Sequence, residues 1–262
     1  GCSHPTTATA STSICTVKFW EDTVIDALFA RFPRFEVFVR SLLCRFPKLK
    51  ERIKKSRKQS AVAPAGELDT AAWEAYKAKI DAVATPDSIL LIHSSMDGLH
   101  AIGVSEKLLL SYLLTLTGRG CTVVMPAYPI TNLRMNGKIG VYDPKKTPSW
   151  TGMLPNLFVA TAGTVRTSYP FNSLAASGPL AADMMREDEK QVYVYGEGSA
   201  WKYCVEHHAK LLFIGTTSNE ANTIQGHMIP DVMGDAWPIA DWYDEKICPV
   251  RIDGTVTDRK IL

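Results

Sequence analysis

The spacing of apolar positions changes several times along the chain, and each change predicts an element. From Asp69 to about Val83 they recur at helical period, with Trp73, Tyr76 and Ile80 on one face, and Thr85-Pro86 closes the segment. Ser88–Ile92 is then an uninterrupted apolar run of strand length, and Val104–Leu116 returns to helical spacing. Gly118-Arg119-Gly120 reads as a turn before a second strand, Cys121–Met125, which Pro126 halts. A long polar loop spans Ala127–Trp150. Beyond it the pattern predicts a helix over Gly152–Ala160, a short strand at Val165-Arg166, and helices over Leu180–Glu189 and Trp201–Glu206. Lys210–Ile214 is the third apolar strand, and Ile247–Ile252 and Thr255–Leu262 flank Asp253-Gly254, a two-residue hairpin signal. Short strands alternating with helices predict a layered α/β/α sandwich with a mostly parallel central sheet and an antiparallel C-terminal hairpin. The chain ends inside that hairpin's second strand, so truncation at the C-terminus is an expectation.

The first third of the chain has another character. Residues 1–18 read as a disordered start. Residues 19–66 read as a helical arm and linker, punctuated by Pro33 and Pro47, and 67–262 form the main domain. Within the arm, Phe29–Phe35 recurs fourteen residues later as Leu43–Leu49. Residues 31–58 hold eleven Arg and Lys against Glu36 and Glu51, a local charge of +9 inside a chain of net +2. Apolar faces beside basic ones suit an interface with a membrane surface, the protein's own body or a second copy, making peripheral membrane contact and a homodimer expectations. The mildly acidic body offers no continuation of the basic surface, which argues against nucleic acid.

Composition narrows the class. At 46% hydrophobic and 21% charged, the 262 residues read as a globular protein. No apolar run reaches the roughly 18–20 residues of a spanning helix. Six scattered cysteines without a C-x-x-C pair predict reduced, buried thiols. The opening residues lack a basic and apolar leader, so cytoplasm, with the inner membrane face as a variant, is the expected location.

In open α/β sheets ligands bind beyond the carboxyl ends of strands. Three segments fall there: His93-Ser94-Ser95-Met96, the loop after Met125, and Gly215–Asn219. The ordered fragments Ile92–Met96, Val124–Ala127, Asp143–Pro155, Val165–Thr167, Pro170–Gly178, Gly196–Ser199 and Asn222-Thr223 resemble the aminoglycoside 3-N-acetyltransferase family over about residues 68–252. The resemblance implies acyl transfer from acetyl-coenzyme A, or another acyl-CoA, to an amine of an amino sugar, without a metal. Polysaccharide or glycoconjugate assembly is the expected setting. Antibiotic modification is the alternative, as is an inactive binding or scaffolding relative.

That chemistry needs a base to take the amine's proton and donors for the developing oxyanion. By resemblance, His93, Ser94, Ser95, Met96, Arg166 and Ser173 lie against the cofactor. The family's usual run Arg-Ser-any-His-Pro-Thr-His-Ser here reads Arg166-Thr167-Ser168-Tyr169-Pro170-Phe171-Asn172-Ser173, so both histidines are absent. Tyr169 is a poor base near neutral pH, whereas Asn172 could donate to an oxyanion. The segment Thr223–His227, one residue longer than the family's Thr-x-x-His, leaves His227 with Asp231 four residues on as the base and its orienting partner. Asp97, Asp143 and Glu197 are the carboxylates expected near a cationic acceptor, with Trp150 beside them. A hydrolase built on Ser94, His227 and Asp231 lacks the Gly-x-Ser-x-Gly elbow. His207-His208 has no second ligand pair for a metal and reads as a helix end.

Overall fold

The computed structural model describes residues 66–130, 140–191, 193–216 and 245–261. The arm and linker expected at 19–66 lie outside them up to residue 65, as do His227 and Asp231. Helix α1, Thr70–Asp81, starts where Asp69 caps it, its carboxylate accepting from the Ala72 amide at 2.9 Å. Strand β1 is Ile89–Ser94, and a five-residue helix α2, Met96–His100, follows directly. Helix α3, Glu106–Gly118, is capped by Ser105. Strand β2 is Thr122–Pro126, and helix α4 is Met153–Val159.

β1 and β2 pair in parallel, and β5, Lys210–Ile214, pairs in parallel on the other side of β1. The remaining two strands of this sheet, β3 (Val165–Arg166) and β4 (Leu174–Ser177), run antiparallel, giving the order β3-β4-β2-β1-β5. Alternation along β1 sends Leu90 and Ile92 into a core with Trp73, Leu109, Leu113 and Phe158, from α1, α3 and α4. Ile89 and Leu91 face the opposite core, with Met184, Tyr195, Trp201 and Cys204. Helices α5, Ala181–Met184, and α6, Ala200–Glu206, supply that second layer. The α/β/α sandwich is therefore built as expected.

The hairpin of β6 (Lys246–Ile252) and β7 (Thr255–Ile261) forms its own two-stranded sheet. Asp253 and Gly254 both take positive φ, 46° and 90°, as a two-residue turn with this handedness requires. Cys248, Val250 and Ile261 pack on Tyr142 and Tyr169, forming a third buried cluster.

Two expectations need correction. Strand β4 was not anticipated; its small residues lack the β-branched signature of a strand, and all four are buried beneath both helical layers. The helix expected over Leu180–Glu189 forms only the turn α5 and a 3₁₀ turn at Asp188–Lys190. Asp188 is drawn inward instead, its carboxylate accepting from the backbone amide and hydroxyl of Ser168. His207 ends α6 as its C-cap, as expected, with its ring stacked on Tyr203. Cys121, Cys204 and Cys248 are buried free thiols, and burial pushes Cys204 up to about 12 and Cys248 up to about 11. No described helix is long and apolar enough to cross a membrane.

Candidate active site

A cavity of about 620 Å³ opens at the carboxyl ends of β1, β2 and β5. From the β1 end it is lined by His93, Ser94, Ser95, Asp97 and Gly98, and from the β5 end by Gly215 and Thr216. Met125, Pro126 and Tyr128 close the β2 side, with Trp150, Thr151 and Pro155 beside them. Parts of all three segments expected from the strand-end rule thus line one cavity, while 217–219 lie outside the described residues.

The turn after β1 is held by backbone contacts. The Ser95 amide donates to the Ile214 carbonyl at 3.0 Å, continuing the β1–β5 ladder into α2. Ser95 is the N-cap of α2, but its hydroxyl makes no capping bond, and Ser94 beside it is half-buried. Asp97 is exposed on α2. Trp150 leaves 57% of its surface open and tilts against Tyr128, ring centroids 5.4 Å apart. The residues flanking Trp150 tie it to the β2 end: Ser149 Oγ donates to the Tyr128 carbonyl at 3.0 Å, and Thr151 Oγ1 donates to that of Pro126 at 2.9 Å.

Burial shapes the electrostatics. His93 is 8% exposed, its ring stacks on Phe213 of β5, and its Nε2 has no hydrogen-bond partner among the described residues. Desolvation holds the imidazole below its ordinary value, so it is neutral near pH 7. Tyr128 is 6% exposed with an unpartnered hydroxyl, and burial, with Tyr195 a smaller contributor, raises that phenol far beyond physiological pH.

Other expected site residues stand elsewhere. Met96 packs its side chain against the first core. Arg166 does not line the cavity; its guanidinium donates to the carbonyls of Thr147 (2.6 Å) and Ala127 and lies over the Tyr142 ring. Ser173 Oγ donates to the Tyr169 carbonyl at 2.7 Å, and Tyr169 is enclosed in the third cluster. Asn172 takes φ 45° and donates to Tyr195 Oη at 3.0 Å, while its carbonyl accepts from the Trp201 indole. Asp143 accepts from the amides of Lys145 and Lys146 in a local turn, and Glu197 pairs with Lys202. Arg166→Ala should therefore lower the unfolding free energy by about 2–4 kcal/mol, since a buried and a part-buried carbonyl lose charged donors. Urea denaturation checks this, and unchanged stability would return Arg166 to a purely ligand-binding role.

Tyr128 and Thr216 fall inside two of the expected segments, the loop after Met125 and Gly215–Asn219, whereas Thr151 lies in neither. The signal for Tyr128 was its place two residues beyond β2.

Comparison with known proteins follows the same outline. A family model described as aminoglycoside 3-N-acetyltransferase matches residues 91–255. The solved structure "AAC-IIIb binary with CoASH" shares 21% identity and a TM-score of 0.56, over 71% of this chain and 72% of that one. Aminoglycoside acetyltransferase AAC(3)-IVa shares 20% identity at TM-score 0.53, over 71% and 68% of the two chains. AAC(3)-IIb shares 17% at TM-score 0.55, over 72% and 73%. At these identities the structural likeness shows a common fold. No curated protein sequence matches this one.

Proposed function

Since the chain belongs to the aminoglycoside 3-N-acetyltransferase family, we propose that it moves an acyl group from acyl-coenzyme A to an amine of an aminoglycoside-type acceptor. The observation that supports this most is the strand-end cavity, where the His93–Ser95 turn, the Asp97 carboxylate and the exposed Trp150 indole stand together. The turn can carry the pantetheine arm, Asp97 can draw an ammonium group, and Trp150 offers a flat apolar face to a sugar ring. The acceptor's proton goes to a base, for which the sequence offers His227 with Asp231. Polysaccharide assembly, expected from the missing histidines and the basic arm, draws no support from the named neighbours, which favour the aminoglycoside alternative.

Calorimetric titration with acetyl-CoA should show binding, and free-thiol release should follow addition of multi-amine aminoglycosides but not of an amine-free sugar. Asp97→Asn should raise the acceptor's KM by about fivefold, the worth of one exposed ion pair, while acetyl-CoA binding holds. A chain that binds no acetyl-CoA is not this enzyme. One that binds it and turns over simple amino sugars instead belongs to glycoconjugate chemistry.

A further inference from the structure

Two residues that line the cavity each carry a buried polar atom with no hydrogen-bond partner among the described residues: His93 Nε2 and Tyr128 Oη. Burial without a hydrogen bond is costly for both, by the full desolvation of each group. They also share a location. His93 follows Ile89 and Leu91 on the face of β1 that packs in the same core as Tyr128, and both residues line the cavity beyond the strand ends. Neither group carries charge at neutral pH: desolvation keeps the imidazole unprotonated and the phenol protonated. Buried atoms cut off from water are poor relays for a proton but good preorganised donors.

We propose that His93 Nε2–H and Tyr128 Oη–H are the two donors that hold the thioester carbonyl oxygen as it takes on negative charge. The assignment rests on the N-acyltransferase reading. The acceptor's amine nitrogen attacks the thioester carbon, forming the C–N bond and moving the carbonyl π electrons onto oxygen. The two donors stabilise that oxyanion. Its collapse restores the carbonyl and breaks the C–S bond, sending the electron pair to sulfur. The proton lost by nitrogen passes through the base to the departing thiolate, giving free coenzyme A and the amide.

Such a role separates activity from stability. Tyr128→Phe deletes a hydroxyl that has no hydrogen-bond partner among the described residues, so its melting temperature should equal or exceed that of the wild type. Its kcat should fall by about 10²-fold, with acetyl-CoA affinity by calorimetry unchanged. His93→Leu should lose kcat to a similar degree, and His93→Gln, whose amide can still donate, should recover part of it. Wild-type thiol release is measured in the same assay. If the wild type is silent, the acyltransferase reading falls and takes this assignment with it. If the wild type turns over and Tyr128→Phe keeps its kcat, the assignment alone is overturned. A Tyr128→Phe protein whose melting temperature drops by several degrees overturns it as well, because the hydroxyl would then be structural.

Discussion

Arg259→Met should cost about 3–5 kcal/mol of stability, more than loss of an ordinary surface arginine by a wide margin. Arg259 sits on β7 only 9% exposed, and its guanidinium reaches Ser168 Oγ, the Asp188 carbonyl at 2.5 Å and the Gln191 carbonyl at 3.1 Å. The same group lies 5.8 Å over the Tyr169 ring. Asp188 is 2% exposed; burial raises its carboxyl, while hydrogen bonds from Ser168 and the nearby Arg259 charge oppose that. Removing the arginine leaves a buried carboxylate with its main counter-charge gone and two carbonyls without donors. The pH dependence has a definite sign. With Asp188 raised above its unfolded value, the folded state binds the extra proton, so the deficit is largest near neutral pH and shrinks as pH falls through the raised value. Urea denaturation at neutral and acidic pH measures both. A loss under 1 kcal/mol would mean that the hairpin is held to Ser168 and Asp188 by apolar packing alone.

Arg259 also shows where the sequence is silent. Its position in an alternating hairpin strand predicts solvent exposure or a cross-strand partner, and nothing local indicates a buried anchor 71 residues from Asp188. Long-range polar pairing has no period to read. The same holds for Arg166, whose carbonyl partners lie 19 and 39 residues away. Periodicity did place β1, β2, β5 and the hairpin, because buried central strands and a two-residue turn each leave a local pattern. It missed β4, where Leu174–Ser177 carries alanines and a serine whose burial comes from neighbours on every side. Of the candidate site, the strand-end rule pointed to His93–Ser95, the loop after Met125 and the Gly215 turn, and Asp97 was expected beside them as a carboxylate near a cationic acceptor. Tyr128 lies in the loop after Met125 to which the same rule pointed, but between Pro126 and Pro129 no period marks a single residue of that loop.

Gly215→Ala should damage both stability and the site, by about 2–5 kcal/mol and a loss of at least tenfold in acetyl-CoA affinity. Gly215 adopts φ 67°, a conformation that costs an L-residue on its own. A Cβ there would also overlap the Ser95 carbonyl oxygen and come within 3.2 Å of Leu99 Cγ. Backbone cannot yield as a flexible side chain does. The two turns are close at Gly98 as well, where an added Cβ would lie 3.3 Å from the Gly215 carbonyl oxygen. The turns after β1 and β5 therefore lock together, and relief of the overlap must displace Ser95, which lines the cavity. Gly163→Ala is the control: Gly163 has φ 81° but open space around its Cα, so only the conformational cost of about 1–2 kcal/mol applies. If strain alone governs these positions, the two variants lose equal stability and both keep acetyl-CoA. The contact at Ser95 predicts instead that only Gly215→Ala loses the ligand, because only there does the added methyl press on the cavity wall.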